Sequence, residues 1–329
     1  MGRENLMART LFLMLCLLAR AAQSQVTPVP TTLLNVSYDA TRGLYAEINR
    51  AFAAQSPMPV VVRTSHGGSG AQARAVIDGL EADVVTLALA PDIDAIVRAG
   101  LIAPGWAERM PGSAVPFTST ILFVVRAGNP KNIRDWPDLV RHGVAVITPN
   151  PKTSGGARWT YLAAWAHAQR AGGDPLAFMA ALYRNVPILD TGARGATITF
   201  AQRGQGDVLL AWEDEAGLAL RQRPGLEVVV PSVSIRAEPP VAIVDRVVDR
   251  RGTRAQAEAY LRYLYTPAAQ EIGVKHGLRP TDPAVMAAHA TQFPDVEQVT
   301  IASMGGWETL QQRHFAEAGI FDQIYRPGR

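Results

Sequence analysis

Eight short apolar runs recur along the chain: Leu33–Val36, Val60–Val62, Val84–Leu89, Ile121–Val125, Val144–Ile147, Val208–Ala211, Val228–Val230 and Val241–Val244. Between the early ones, apolar residues fall every three or four positions, as in Leu44, Ile48 and Phe52, or Ala73, Val76 and Ile77. Short unbroken apolar runs bury as strands, whereas a period near 3.6 buries one face of a helix. Strands alternating with helices predict βαβ units and an α/β fold with mostly parallel sheets. The pattern changes after Val228, where Pro231, Pro239 and Pro240 interrupt the runs. That stretch reads as a connection returning from one lobe to the other, and Phe117–Arg126 reads as the outbound crossing. Ala257, Tyr260, Leu261 and Leu264 then open a helical C-terminal part. The expectation is two α/β lobes, 33–116 with 241–329 and 117–240, joined by more than one crossing strand. A ligand would sit between them, because sites in such sheets lie beyond the carboxyl ends of the strands.

The first 24 residues carry a different message. Arg3 and Arg9 precede an apolar run from Leu11 to Ala19, followed by the small residues Ala21, Ala22 and Ser24. That layout is a secretory signal peptide, and the run is short for a bilayer span. Its removal takes away Arg3, Glu4, Arg9 and Arg20, bringing the formal net charge from +3 to +1. It also takes the single cysteine, Cys16, which lacks the preceding small residue expected of a lipid-modified cysteine. The mature chain is therefore expected to be an exported, cysteine-free protein that forms no disulfide and folds on its core alone. Its basic residues are scattered and its charge is small, which argues against a nucleic-acid partner.

Three strand-to-helix turns hold the candidate chemistry. In Asn35–Arg42, Asp39 is placed to cap the helix bearing Leu44. In Ser65–Gly70, Ser69 can cap the helix bearing Ala73, and in Asn150–Arg158, Ser154 precedes the helix through Trp159 and Leu162. Gly192–Gly195 is a fourth tight turn, and Trp212 ends a strand with an indole N–H to offer. One such turn is ordinary punctuation. Several aimed at one cleft would bind an anion through unpaired backbone N–H groups and helix dipoles, without a cationic side chain.

Other chemistries find less support. The HGGSG stretch is similar to esterase oxyanion-hole turns, but no G-x-S-x-G nucleophile elbow accompanies it, so a serine hydrolase acting through Ser69 or Ser154 is the weaker alternative. Lys152 precedes the glycines of its turn, the reverse of a P-loop. No close histidine pair suggests a metal. The run Glu213-Asp214-Glu215 is expected to be a solvated helix start.

The stretches LLNVSYDATR, SHGGSGAQA, GLEADVVTLAL, TSTILFVVRAGNPK, VITPNPKTSGGARWTYLAAW, GARGATITF, RGQGDVLLAWEDEA, AEPPVAIVD, AEAYLRYLY and FDQIY resemble the periplasmic sulfate-binding proteins of bacterial sulfate/thiosulfate ABC importers, from about Leu33 to Tyr325. The resemblance implies a two-lobed solute-binding fold of type II that closes on one desolvated sulfate dianion and delivers it to the importer's permease subunits, with no enzymatic activity, cofactor or metal. It implies ligand hydrogen bonds from the backbone N–H groups of Asp39, Ser69, Gly155, Gly156 and Ala193, the hydroxyl of Ser154 and the indole of Trp212. Arg158 and Arg194 are expected to act without touching the ligand. Ala40, Ala71 and Ala196 depart from the family's usual proline, lysine and serine or threonine. Thiosulfate, also a tetrahedral dianion, is not separated from sulfate; phosphate or molybdate are the alternative tetrahedral ligands, and a sulfate receptor for signalling is a further reading.

Overall fold

The computed structural model describes residues 29–325, so the expected signal peptide lies outside the described residues. The first lobe runs β1 (Thr31–Tyr38), α1 (Arg42–Gln55), β2 (Val60–Gly67), α2 (Ser69–Ile77), β3 (Val84–Thr86) and α3 (Ala90–Arg98). After β4 (Phe117–Thr118) the chain enters the second lobe with β5 (Ile121–Val125), β6 (Val146–Pro149), α4 (Gly155–Arg170), α5 (Pro175–Arg184), β7 (Leu189–Asp190), α6 (Ala193–Thr197), β8 (Val208–Trp212), α7 (Glu213–Gln222), β9 (Glu227–Val229) and β10 (Val233–Ile235). It returns through β11 (Val241–Ile243), α8 (Asp245–Arg251), α9 (Arg254–Tyr263), α10 (Pro267–Lys275) and β12 (Arg279–Pro280), then reaches β13 (Glu297–Val299) and α11 (Ile320–Ile324). All eight expected strand segments are strands.

Two mixed sheets result, ordered β11-β3-β1-β2 and β7-β6-β8-β5-β9. Within each, the strands joined by local helices pair in parallel, β1 with β2 and β3, and β6 with β7 and β8. The antiparallel members are β11 and β5, the strands that follow the two passages between lobes. A chain arriving from the other lobe enters at the strand ends that face it, opposite to its neighbours. The passages lie side by side: Ser119 and Ala237 form an antiparallel bridge, with N–H to carbonyl distances of 3.0 and 2.9 Å.

Period-two burial explains the second sheet. Phe123, Val125, Val146, Val208 and Leu210 enter one core with Trp136, Trp159 and Leu162, while Val124, Ile147, Leu209 and Ala211 face the opposite side against Phe200, Ala216 and Ala219. A sheet covered on both faces reads as unbroken apolar runs. The first lobe buries Leu33, Val36, Val84, Val85, Val241 and Ile243 against Leu44, Ile48, Phe52, Tyr260 and Leu261.

The C-terminal tail departs from the expected lobe bounds. β13 pairs in parallel with β10, and Ile301, Leu310, Phe315 and Phe321 join the second lobe's core, whereas the sequence pattern places all of 241–329 in the first lobe. The chain thus makes a third passage between Pro280 and Glu297. Among the described residues no helix is long and apolar enough to cross a membrane.

Candidate functional site

The carboxyl ends of β1, β2, β6, β7 and β8 converge on one narrow cavity of about 20 Å3. The first lobe lines it with Tyr38, Asp39, Ala40, Gly67, Gly68 and Ser69, and the second with Ser154, Gly155, Gly156, Gly192, Ala193 and Trp212. All seven residues singled out from the sequence share this wall. Among the described residues the wall contains no Lys, Arg or His, and Asp39 is its one carboxylate.

The local reasons differ from turn to turn. Ser154 is the N-cap of α4: its extended backbone (φ −109°, ψ 119°) lets Oγ accept from Ala157 N at 3.3 Å. The N–H groups of Gly155 and Gly156 open the helix and have no intrahelical acceptor. Ser69 does not cap α2, contrary to expectation. Gly68 occupies that position and Ser69 is the first helical residue. Its Oγ donates to Asp92 Oδ2 at 2.5 Å and accepts from Ala88 N at 3.0 Å, so only its backbone remains to face the cavity.

Asp39 is no cap either. It begins a single turn of 3-10 helix before α1, whose N-cap is Thr41. The Asp39 carboxylate instead accepts from Arg42 Nη2 at 3.0 Å. Ala193 opens α6 with Gly192 extended before it (φ −155°, ψ 165°), the geometry that leaves the first N–H groups of a short helix bare. The Trp212 indole N–H donates to the carbonyl of Gly156 at 3.2 Å, and its ring meets Trp159 edge-on and Tyr38 at a tilt.

The lobes meet tightly at this wall. A Cβ on Gly155 would lie 2.9 Å from Ala88 Cβ and 3.0 Å from Ser69 Cβ, and one on Gly68 would lie 2.7 Å from the Thr153 carbonyl oxygen. Both positions need glycine because backbone from one lobe touches the other. Trp159 Nε1 adds a bond to the Ala88 carbonyl at 2.9 Å.

The acidic run at the start of α7 is not a solvated face: Glu213 and Glu215 are buried and Asp214 is half-buried. Glu213 is held by the Arg279 fork at 2.8–3.0 Å and accepts from Ser119 Oγ at 3.3 Å and Thr120 N at 3.1 Å, tying β8 to the outbound passage. Glu215, 1% exposed, accepts from Arg194 Nε at 2.8 Å and Thr197 Oγ1 at 2.5 Å. Arg194 then reaches across the seam, donating from Nη2 to the Ala40 carbonyl at 3.1 Å. Burial pushes the carboxyl of Asp214 well above the usual range, and the neighbouring Glu215 charge adds to it. Burial raises Glu215 too, against the opposing pull of Arg194. Arg158 donates Nε to the Pro151 carbonyl at 2.9 Å and lies over the Phe315 ring. Neither Arg158 nor Arg194 lines the cavity.

Sequence reasoning missed Tyr38, whose buried hydroxyl has no partner among the described residues, and the Ala40 carbonyl that Arg194 grips. Tyr38 was legible only as the last residue of its strand. The partner of Ala40 sits 154 positions away, beyond any local pattern.

A family model described as a bacterial extracellular solute-binding protein matches residues 33–279. The sulfate-binding protein of Escherichia coli is 53% identical over 314 residues, 92% of this chain and 95% of that one. The thiosulfate-binding protein of Pseudomonas aeruginosa is 50% identical, over 90% and 92% of the two chains. The solved structure of the sulfate-binding protein SubI from Mycobacterium tuberculosis superposes with a TM-score of 0.80 at 37% identity, covering 87% of this chain and 99% of that one. The chain belongs to the bacterial extracellular solute-binding protein family and, within it, is a relative of the sulfate- and thiosulfate-binding proteins.

Proposed function

We propose that this protein captures sulfate, and thiosulfate with it, in the cavity between its lobes and delivers it to the membrane permease of an ABC importer. The observation that carries the reading is the wall itself: helix starts from both lobes, rich in N–H groups and free of Lys, Arg and His. The backbone N–H groups of Asp39, Ser69, Gly155, Gly156 and Ala193, with the Ser154 hydroxyl and the Trp212 indole, serve as the ligand's donors. Residues 1–24 direct export and are removed, leaving a monomer in the periplasm that needs no cofactor and no nucleic acid.

The donor set explains selectivity. Sulfate carries no proton at neutral pH, so donors alone satisfy it. Phosphate keeps at least one proton and needs an acceptor, and the one wall carboxylate, Asp39, is already paired with Arg42. A hydrogen bond to a charged group contributes about 1.5–3 kcal/mol, and a buried group left unpaired costs a similar amount. Helix dipoles spread the dianion's charge over several peptide units. Arg194 supports one of them indirectly by holding the Ala40 carbonyl.

Thermal melting tests the assignment. A ligand at about 100 times its Kd stabilises by roughly 2.7 kcal/mol. Sulfate is expected to raise the melting temperature at pH 7 while the same concentration of phosphate does not. Equal shifts from both anions would overturn the sulfate reading.

A further inference from the structure

A second, wider cleft of about 340 Å3 shares Gly155 with the cavity but has the opposite character. It opens along the seam, walled by α2, the Leu89–Arg98 stretch and, from the other lobe, Lys152–Arg158 with Gln311. Four cationic side chains line it, Arg74 and Arg98 from the first lobe and Lys152 and Arg158 from the second, against the single carboxylate of Asp92. Asp92 is 8% exposed and accepts the Ser69 hydroxyl, and burial raises its carboxyl against the opposing pull of Ser69, Arg158 and Arg74. Lys152 is committed to Asp322 and to the carbonyls of Phe315 and Ala316. Arg158 spends only Nε within the described residues, on the Pro151 carbonyl. Arg74 and Arg98 are exposed at the rim and have no carboxylate within ion-pair distance among the described residues.

We propose that this seam cleft binds a polyvalent oxyanion larger than sulfate, such as a pyrophosphate, through guanidinium groups contributed by both lobes. Planar guanidinium forks match phosphate and carboxylate oxygens in pairs, and the three around this space, Arg74 and Arg98 without hydrogen bonds and Arg158 with both Nη groups unspent among the described residues, outnumber the one buried carboxylate of Asp92. The cleft exists only where the two lobes are together, because its walls come from both. An anion spanning it favours the closed arrangement, and by linkage it tightens whatever the inner cavity holds. The rim is wet, so binding weakens as salt rises.

Calorimetric titration of the full mature chain with inorganic pyrophosphate tests this, alone and in excess sulfate, for the parent and the R74Q/R98Q variant. One site is expected, retained in excess sulfate, at least tenfold weaker in R74Q/R98Q, with sulfate bound at least threefold more tightly when pyrophosphate is present. Absence of binding at millimolar pyrophosphate, full competition by sulfate, or unchanged affinity in R74Q/R98Q each overturns the proposal. Both arginines are exposed helical residues, and R98E alone gives the same test should the double variant fold poorly.

Discussion

The indole N–H of Trp212 donates to the carbonyl of Gly156 at 3.2 Å, across the mouth of α4. The donor proposed for the ligand is therefore already engaged, by the peptide next to the one that would face the anion. Its contribution to binding is the difference between two hydrogen bonds, a charged acceptor against a neutral one. Trp212→Phe is expected to weaken sulfate binding about tenfold, in line with a charge-assisted bond roughly twice as strong as a neutral one. Calorimetry reads the affinity and a melting scan checks that the fold persists. Unchanged affinity would show that Trp212 is only wall packing.

Gly155 allows the lobes to touch. With Ala88 Cβ and Ser69 Cβ within about 3 Å of its absent Cβ, Gly155→Ala must hold the lobes apart without harming either core. The expected result is at least a tenfold loss of sulfate affinity with the ligand-free melting temperature unchanged. Small-angle scattering should also lose any sulfate-induced compaction. Full compaction in the variant would contradict the closed contact.

Arg194 links Glu215 to the Ala40 carbonyl of the other lobe. Arg194→Gln leaves Glu215 buried without its ion-pair partner, and breaking such a pair costs about 3–5 kcal/mol. Adding Glu215→Gln should recover much of that stability, since the uncompensated charge is gone, but should not recover sulfate affinity, because the bridge to Ala40 stays broken. Recovery of both would place Arg194 in stability alone.

Asp214 gives the protein a pH dependence of known sign. Its folded value lies above the unfolded one, so its favourable contribution is fully present below about pH 4, the unfolded carboxylate range, and is lost as pH rises through the folded value. Asp214→Asn stays neutral throughout and should melt higher than the parent at pH 8, with the gap closing towards pH 4. About 2–4 °C per kcal/mol is the scale for a chain somewhat smaller than this one. A gap independent of pH would show that the carboxyl does not titrate there.

How much of this was readable beforehand follows from the range of each interaction. The apolar runs became strands because an unbroken run buries as a strand without distant help, on both faces in β3, β5, β6, β8 and β11, while the edge strands β2 and β9 leave Val61 and Val228 exposed. Short strands such as β7, β12 and β13 carry no such run, and their pairing is set by partners far away in the chain. The Ser154 cap was legible, since a serine stands directly before the glycines with which its helix begins. Ser69 and Asp39 were misplaced by one to two positions along their helix starts, which moves a side chain from capping to pairing with Asp92 or Arg42. The acidic run looked solvated because its cationic partner Arg279 is 66 positions away and Arg194 stands across a separate helix. The lobe of the C-terminal tail depended on β10 and β13 meeting, which no local pattern announces.

In the proposed site, donors alone, without an acceptor for a proton, select the ligand. Parallel calorimetric titrations of the mature chain with sulfate and phosphate, at pH 6 and pH 8, measure it directly. Sulfate is expected to bind at one site with the same affinity at both values, and phosphate at least a thousandfold more weakly at each. Phosphate binding within tenfold of sulfate would contradict it.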